Sequence, residues 1–298
     1  MKIKSTEIID TFAEAFKMYG SRIIITAETK EWAMAAAQSI TGFATSVIGC
    51  KCEAGIETEI PANASPDLRP GVSVLLFAMD SESLGKRLME RIGQCVMTCP
   101  STACYNGIDQ GNEITVGGQL RYFGDGFQIS KKIAEKQLWR IPVMDGEFLV
   151  DDIFKTKEAV GGGNILILGK DQNTTLKAAK SAVKAMREIP NIILPFPNGV
   201  VRSGSKVGSK YKALIASTND AYCPTLSSIV EKTEISKGIN SVLEIVIDGL
   251  TLNAVEEAMY IGINASIKPG ITKISAGNYG GGLGQYQIQL HKLLERNN

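Results

Sequence analysis

Glu244 is a carboxylate in the middle of an apolar run, SVLEIVIDGL (241–250). By two-residue alternation it shares a strand face with Val242 and Val246, opposite Leu243, Ile245 and Ile247. If that face is covered, its pKa rises toward neutrality, where one carboxyl both takes and gives a proton. A solvated strand face is the competing reading of the same spacing. The second feature is KISAGNYGGGLGQY (273–286), which holds Gly277, Gly280, Gly281, Gly282 and Gly284. Glycine loses more backbone freedom on ordering than any other residue. Such a run is expected either as a tight turn before a last strand or as bare backbone close to a ligand.

Other chemistries lack their parts. His291 is the only histidine, seven places from the end, so a Ser-His-Asp triad and a multi-histidine metal site both fail. Cys50, Cys52, Cys95, Cys99, Cys104 and Cys223 form no C-x-x-C pair and read as reduced, buried hydrophobes. GVVRSGSK (199–206) ends Gly-Ser-Lys and opens no helix, so it is not a phosphate loop. The run at 277–284 precedes a strand instead of following one, which removes the dinucleotide reading. What survives is a set of Gly-, Asn-, Ser- and Lys-rich loops: GGGN (161–164), PFPNGVVRSGSKVGSK (195–210), STNDAYCP (217–224) and the glycine run. Each alone fits turn chemistry; four together fit a binding surface for a polar ligand.

Four strand–helix–strand units must position these loops. They are 21–27, 31–40 and 43–50; 71–79, 82–93 and 94–99; 163–169, 173–189 and 191–196; and 241–249, 252–266 and 271–276. Two such units per half predict an α+β protein of two ferredoxin-like (split βαβ) lobes, 1–148 and 149–298, with antiparallel sheets carrying helices on one face. The other sheet face needs cover from the second lobe, another subunit or a ligand, so a homo-oligomer is expected. The 298 residues carry a net charge of +1, giving no basic stripe for nucleic acid and no polybasic membrane patch. The first residues lack a signal-peptide core and no apolar run spans a bilayer, so a cytoplasmic location is expected.

The chain resembles formylmethanofuran:tetrahydromethanopterin formyltransferases nearly end to end. The likeness runs through DTFAEAF (10–16), EWA (31–33), TGFATSVI (41–48), EAGIE (53–57), RPGV (69–72), RIGQCVMT (91–98) and FGDGF (123–127). It continues in GEF (146–148), PFP (195–197), SGSKVG (203–208), STNDAYCP (217–224), EIVIDGL (244–250) and KISAGNYGG (273–281). The resemblance implies formyl transfer from formylmethanofuran to N5 of tetrahydromethanopterin, both acting as coenzyme substrates, with no metal and no tightly bound cofactor. It implies a dimer of dimers, and it matches the family's proton-handling glutamate to Glu244. The coenzymes' anionic tails would meet Lys206, Lys210 and Arg202. Asn164, Asn219 and Asn278 would orient the pterin and formyl groups, with Ser203, Gly280 and Gly281 lining the site.

Departures from the family pattern fall at Asn198, Arg202, Gly282, Lys51, Cys52 and Leu68. They bear on the tail-bearing coenzyme more than on the fold, and they fit a divergent paralogue. Two further readings follow: a subunit of a bacterial formyltransferase/hydrolase complex, and a paralogue that binds a pterin without turnover.

Overall fold

The computed structural model describes residues 1–133 and 136–296. By packing, the chain divides into two compact units, Met18–Ala159 and a discontinuous one made of Met1–Lys17 with Val160–Asn298. A single cut at 148 does not reproduce this division, because residues 1–17 pack with the C-terminal part. In chain order the principal elements begin with β1 (Thr6–Ile8), β2 (Phe12–Thr26), α1 (Lys30–Thr41), β3 (Glu53–Ile60), β4 (Gly71–Ala78), α2 (Ser81–Arg91) and β5 (Ala103–Asn106). Next come β6 (Lys136–Val143), β7 (Gly146–Asp151), β8 (Ile153–Gly169), α3 (Gln172–Met186) and β9 (Ile192–Ile193). The last are β10 (Ser241–Gly249), α4 (Leu252–Ser266), β11 (Ile271–Ser275) and β12 (Tyr286–Gln289).

In the Met18–Ala159 unit the strands run β3-β4-β2-β5, all antiparallel, the order of a split βαβ sheet. β7 adds to β5 in parallel, and β6 to β7 antiparallel. Ala33, Ala36, Ala37 and Ile40 recur at helical spacing and place one stripe of α1 on Ile23, Ile25, Val72 and Val74. Thr29 and Asp80 start α1 and α2 by accepting the N–H of Trp32 (3.5 Å) and Ser83 (2.7 Å).

The other unit repeats the plan with the order β11-β8-β10-β9, again antiparallel, and β1 beside β11. Ile165, Ile167, Ile245, Ile247 and Ile274 turn toward α3 and α4, which meet them with Ala178, Ala182, Met186, Val255, Ala258 and Met259. The two helices approach closely at Gly262, where an added Cβ would lie 1.8 Å from Met186 Cε. Gly262→Ala is therefore expected to lower stability by about 1–3 kcal/mol, read as a fall in the unfolding midpoint.

Two predicted strands take other forms. Residues 43–50 look extended because Thr45, Val47 and Ile48 are β-branched, yet Ser46 caps a short helix, Val47–Cys50, and the strand starts only at Glu53. Residues 94–99 continue α2 through a wide turn in which Met97 N–H donates to Ile92 O at 2.9 Å, and the strand follows at Ala103. Of 191–196 only Ile192–Ile193 pairs in the sheet. Among the described residues no helix is long and apolar enough to cross a membrane.

Candidate active site

The candidate face is the side of the β11-β8-β10 sheet turned away from α3 and α4. Leu166 of β8 lies opposite Glu244 of β10 on one flank and Ser275 of β11 on the other, so these three side chains share that face. Asn164 and Leu168 precede and follow Leu166 on the same face, and Val242 and Val246 flank Glu244. The chain's own segment 197–240 covers part of it. Tyr222, Ile235 and Ile239 pack on Leu166, Leu168 and Val242. That contact answers the sequence's question about cover for one part of this face, which needs no second subunit.

Glu244 sits where the short β9 has ended. Val201 takes its edge: Val201 N–H donates to Glu244 O (2.8 Å), and Glu244 N–H to Val201 O (2.9 Å). Three residues on, Gly204 passes so close that a Cβ there would stand 2.8 Å from Glu244 Oε2. Glu244 is half-buried, and neither carboxylate oxygen has a hydrogen-bond or ion-pair partner among the described residues. Burial without compensation pushes its pKa up to about 7.

Two phenols, Tyr222 and Tyr279, stand near enough to feel its charge. Tyr222 is raised above the usual phenol value by burial and by Glu234 and Glu244, against a 3.2 Å hydroxyl contact with Ser275 that lowers it. Tyr279 is raised by burial, then by Glu244 and Glu14.

The glycine run closes around Glu14, a residue of β2 that is 1% exposed. Its Oε2 accepts the N–H groups of Tyr279 (2.6 Å) and Gly281 (2.9 Å), and Oε1 those of Leu283 and Gly284 (both 2.6 Å). Burial alone would raise this acid, but the four N–H bonds outweigh it and hold the pKa below the ordinary carboxylate value. Gly280 and Gly281 need to be glycine, with φ of 74° and 76°. Gly284 needs to be bare, since a Cβ would lie 2.6 Å from Ala15 O. The run is thus both a turn and an anion-binding backbone, and the anion is the protein's own.

The other sequence-predicted residues fall into three groups. Asn164 is spent within the fold: Oδ1 accepts Gly277 N–H (2.5 Å), and Nδ2 donates to Gly277 O and Gly162 O (3.1 Å each). Asn278 likewise donates to Thr11 Oγ1 (3.1 Å) and accepts Gly280 N–H (3.2 Å). Ser203 and Asn219 come near Glu244 through Gly204, whose carbonyl accepts Asn219 N–H at 2.9 Å. Lys206 and Lys210 are exposed, and Lys206 pairs with Asp220 at 2.5 Å. The residues that sequence reasoning passed over are Glu14, Gly204, Tyr222 and Tyr279. Their signals were a carboxylate between alanines in FAEAF and aromatic residues inside polar loops.

A cavity of about 850 Å³ lies within Met18–Ala159, lined by Asp67, Tyr105, Lys131, Lys136, Leu138 and Asp151 among others. None of the sequence-predicted residues lines it, and its size alone assigns it no chemistry.

The model of the formylmethanofuran-tetrahydromethanopterin formyltransferase family matches residues 1–143, and that of its proximal lobe matches 146–293. A formylmethanofuran–tetrahydromethanopterin formyltransferase of Methylobacillus flagellatus is 57% identical over 99% of this chain and 100% of its own length. The solved formyltransferase of Methanosarcina barkeri superposes with a TM-score of 0.93 at 46% identity, covering 98% of this chain and 100% of that one. A chain of the formyltransferase/hydrolase complex of Methylorubrum extorquens, solved with methylofuran, gives 0.95 at 48% identity, covering 99% and 98%. With both halves matched in order and two ferredoxin-like sheets in place, the chain belongs to the formylmethanofuran-tetrahydromethanopterin formyltransferase family.

Proposed function

We propose that the chain moves a formyl group reversibly from formylmethanofuran to N5 of tetrahydromethanopterin, giving 5-formyltetrahydromethanopterin and methanofuran, with Glu244 as the proton carrier. The observation that carries the role of Glu244 is its half-buried, unpartnered carboxyl with a pKa of about 7 on the loop-covered face. N5 attacks the formyl carbon and forms a tetrahedral oxyanion. N5 then loses its proton, and the methanofuran nitrogen gains one as the C–N bond to it breaks. A carboxyl that is half ionised at neutral pH accepts the first proton and returns it to the leaving nitrogen. The hydroxyls of Tyr222 and Tyr279, kept neutral by their raised pKa, are donors for the oxyanion. Holding two carriers together supplies several kcal/mol of the barrier reduction without a covalent enzyme intermediate.

Arg202 and Lys210 are exposed cations for the anionic tails, whereas Lys206 is already engaged by Asp220. The residues Ser203, Asn219, Gly280 and Gly281 line the approach, and Asn164 and Asn278 shape it. Assembly as a dimer of dimers and a cytoplasmic location complete the proposal.

The test is an assay of the purified protein with both coenzymes. The expected product is 5-formyltetrahydromethanopterin, and the rate should fall as pH drops through about 7, because the base must be ionised to receive the N5 proton. Binding of the pterin without product would instead support a non-catalytic paralogue. The match to a chain of the Methylorubrum extorquens complex supports a second reading, a subunit of a similar assembly. Co-purification with a metal-dependent hydrolase subunit would favour it.

A further inference from the structure

Glu14 is a buried carboxylate with no ion-pair partner among the described residues, and it takes its only compensation from four main-chain N–H groups. These belong to one loop, which leaves β11 directly after Ser275 and rejoins the sheet in β12, paired with β2 itself. Asn164 fastens the start of that loop by holding Gly277 on both its N–H and its carbonyl. Asn164 is the cross-strand neighbour of Val246, two residues from Glu244 on the same face. The loop is therefore pinned at its root beside the Glu244 face and farther out by Glu14. Tyr279 follows the root pin by two residues and is itself held by Glu14 through its N–H, and its ring centroid is 6.1 Å from that of Phe16.

We infer that Glu14 is a positioning residue for the transfer reaction: its ionised carboxylate clamps the glycine loop so that Tyr279 is held over the Glu244 face. The inference rests on the reading of Glu244 as proton carrier only for its kinetic consequence; the clamp itself is a matter of loop geometry.

A neutral amide cannot replace the carboxylate. Gln at position 14 presents one acceptor oxygen and one NH2 group, so two of the four N–H donors would face another donor. A buried donor left unsatisfied costs more than the bond it made, and the loop should release. Release withdraws Tyr279 and admits water to Glu244. The titratable groups that face Glu244 are Tyr222 from the 197–240 segment and Tyr279 from the glycine loop, with Glu234 and Glu14 beyond them. Lys273 of β11 lies on the same sheet face, opposite Leu168, but stands 3.9 Å from Glu7. It is burial that raises Glu244; added water therefore stabilises the ionised form, and the acid limb of the rate profile should move down from about 7 toward the ordinary carboxylate value.

The test compares wild type, Glu14→Gln and Gly284→Ala in two measurements. The first is amide hydrogen exchange at residues 279–284, which does not depend on any reaction. Protection in wild type and its loss in Glu14→Gln is expected; equal protection in both would overturn the clamp. The second is the pH dependence of kcat. Glu14→Gln is expected to lower kcat about tenfold, as small misplacements near a reacting centre do, and to shift the acid limb down by about one unit. A fall in rate that merely tracks the folded fraction, with the limb unmoved, would make Glu14 structural and overturn its positioning role. Gly284→Ala leaves the carboxylate in place but sets a methyl 2.7 Å from Glu14 Cγ and 2.6 Å from Ala15 O, so it carries the same expectation if Glu14→Gln does not fold. Loss of protection in a variant without any limb near 7 in wild type would sustain the clamp and reject the role of Glu244, so the two readings fail separately.

Discussion

Glu244→Gln is expected to lower turnover by at least about 100-fold, the loss typical of a removed acid–base group. Its effect on stability should run the other way. The folded carboxyl titrates at about 7 against 4.5 for the free group, because burial penalises its charge. At pH below 4.5 both folded and unfolded chains hold the proton, and the group costs nothing. As pH rises the unfolded chain ionises first, so stability falls until about 7 and the penalty is then complete. Its ceiling is on the order of 3 kcal/mol, reduced because the side chain keeps some contact with solvent.

The amide carries no such penalty. At pH 8 the variant should unfold at a temperature equal to or above that of wild type, and the gap should close toward pH 5. Steady-state kinetics and calorimetry at the two pH values check both halves. Turnover near that of wild type rejects Glu244 as the proton carrier, whatever the calorimetry gives. An inactive variant that is also markedly less stable at pH 8 would mean that Glu244 holds the sheet instead.

How much of this was legible beforehand depended on the range of each interaction. β10 is readable residue by residue, since Ile245 and Ile247 alternate with Glu244 and the alternation is a local property. The ferredoxin-like order follows from two strand–helix–strand units, which are also local patterns. Residues 43–50 misled because β-branched side chains favour strands, while the Ser46 cap and the Val47 N–H bond to Glu53 Oε1 (3.0 Å) decide otherwise. Glu14 was beyond reach for a different reason. Its four donors lie 265 to 270 positions away in the chain, so no window of sequence contains both the acid and its N–H groups. The glycine run advertised an unusual backbone but not the identity of its anion. The environment of Glu244 was half visible in the same way: alternation fixes its face, but only the folded 197–240 segment supplies Tyr222, Ile235 and Ile239 as cover.

That cover is tightest at Gly204, and Gly204→Ala should report on it. The residue is not in the left-handed region, so alanine fits its backbone, and the whole effect comes from one methyl placed 2.8 Å from Glu244 Oε2 and 3.9 Å from Cδ. The carboxyl must give way by a fraction of an ångström, and the methyl takes the place of what water remains beside it. Turnover should fall at least about tenfold because misplacing a reacting group by a fraction of an ångström forfeits much of the advantage of orientation. Drying also favours the neutral acid, so the acid limb of the rate profile should move up from about 7.

The unfolding midpoint should barely change, since Gly204 lies in a covering loop and not in the core. The direction of the limb is the informative part. Loosening the Glu14 clamp is expected to move it down, and crowding Gly204 to move it up, although neither substitution touches the carboxyl covalently. Opposite shifts from two contacts are what a single half-covered acid must give. Shifts of the same sign, or an unchanged rate in Gly204→Ala, would mean that the 197–240 segment moves aside freely, and Glu244 would then lack the enclosure on which its chemistry depends.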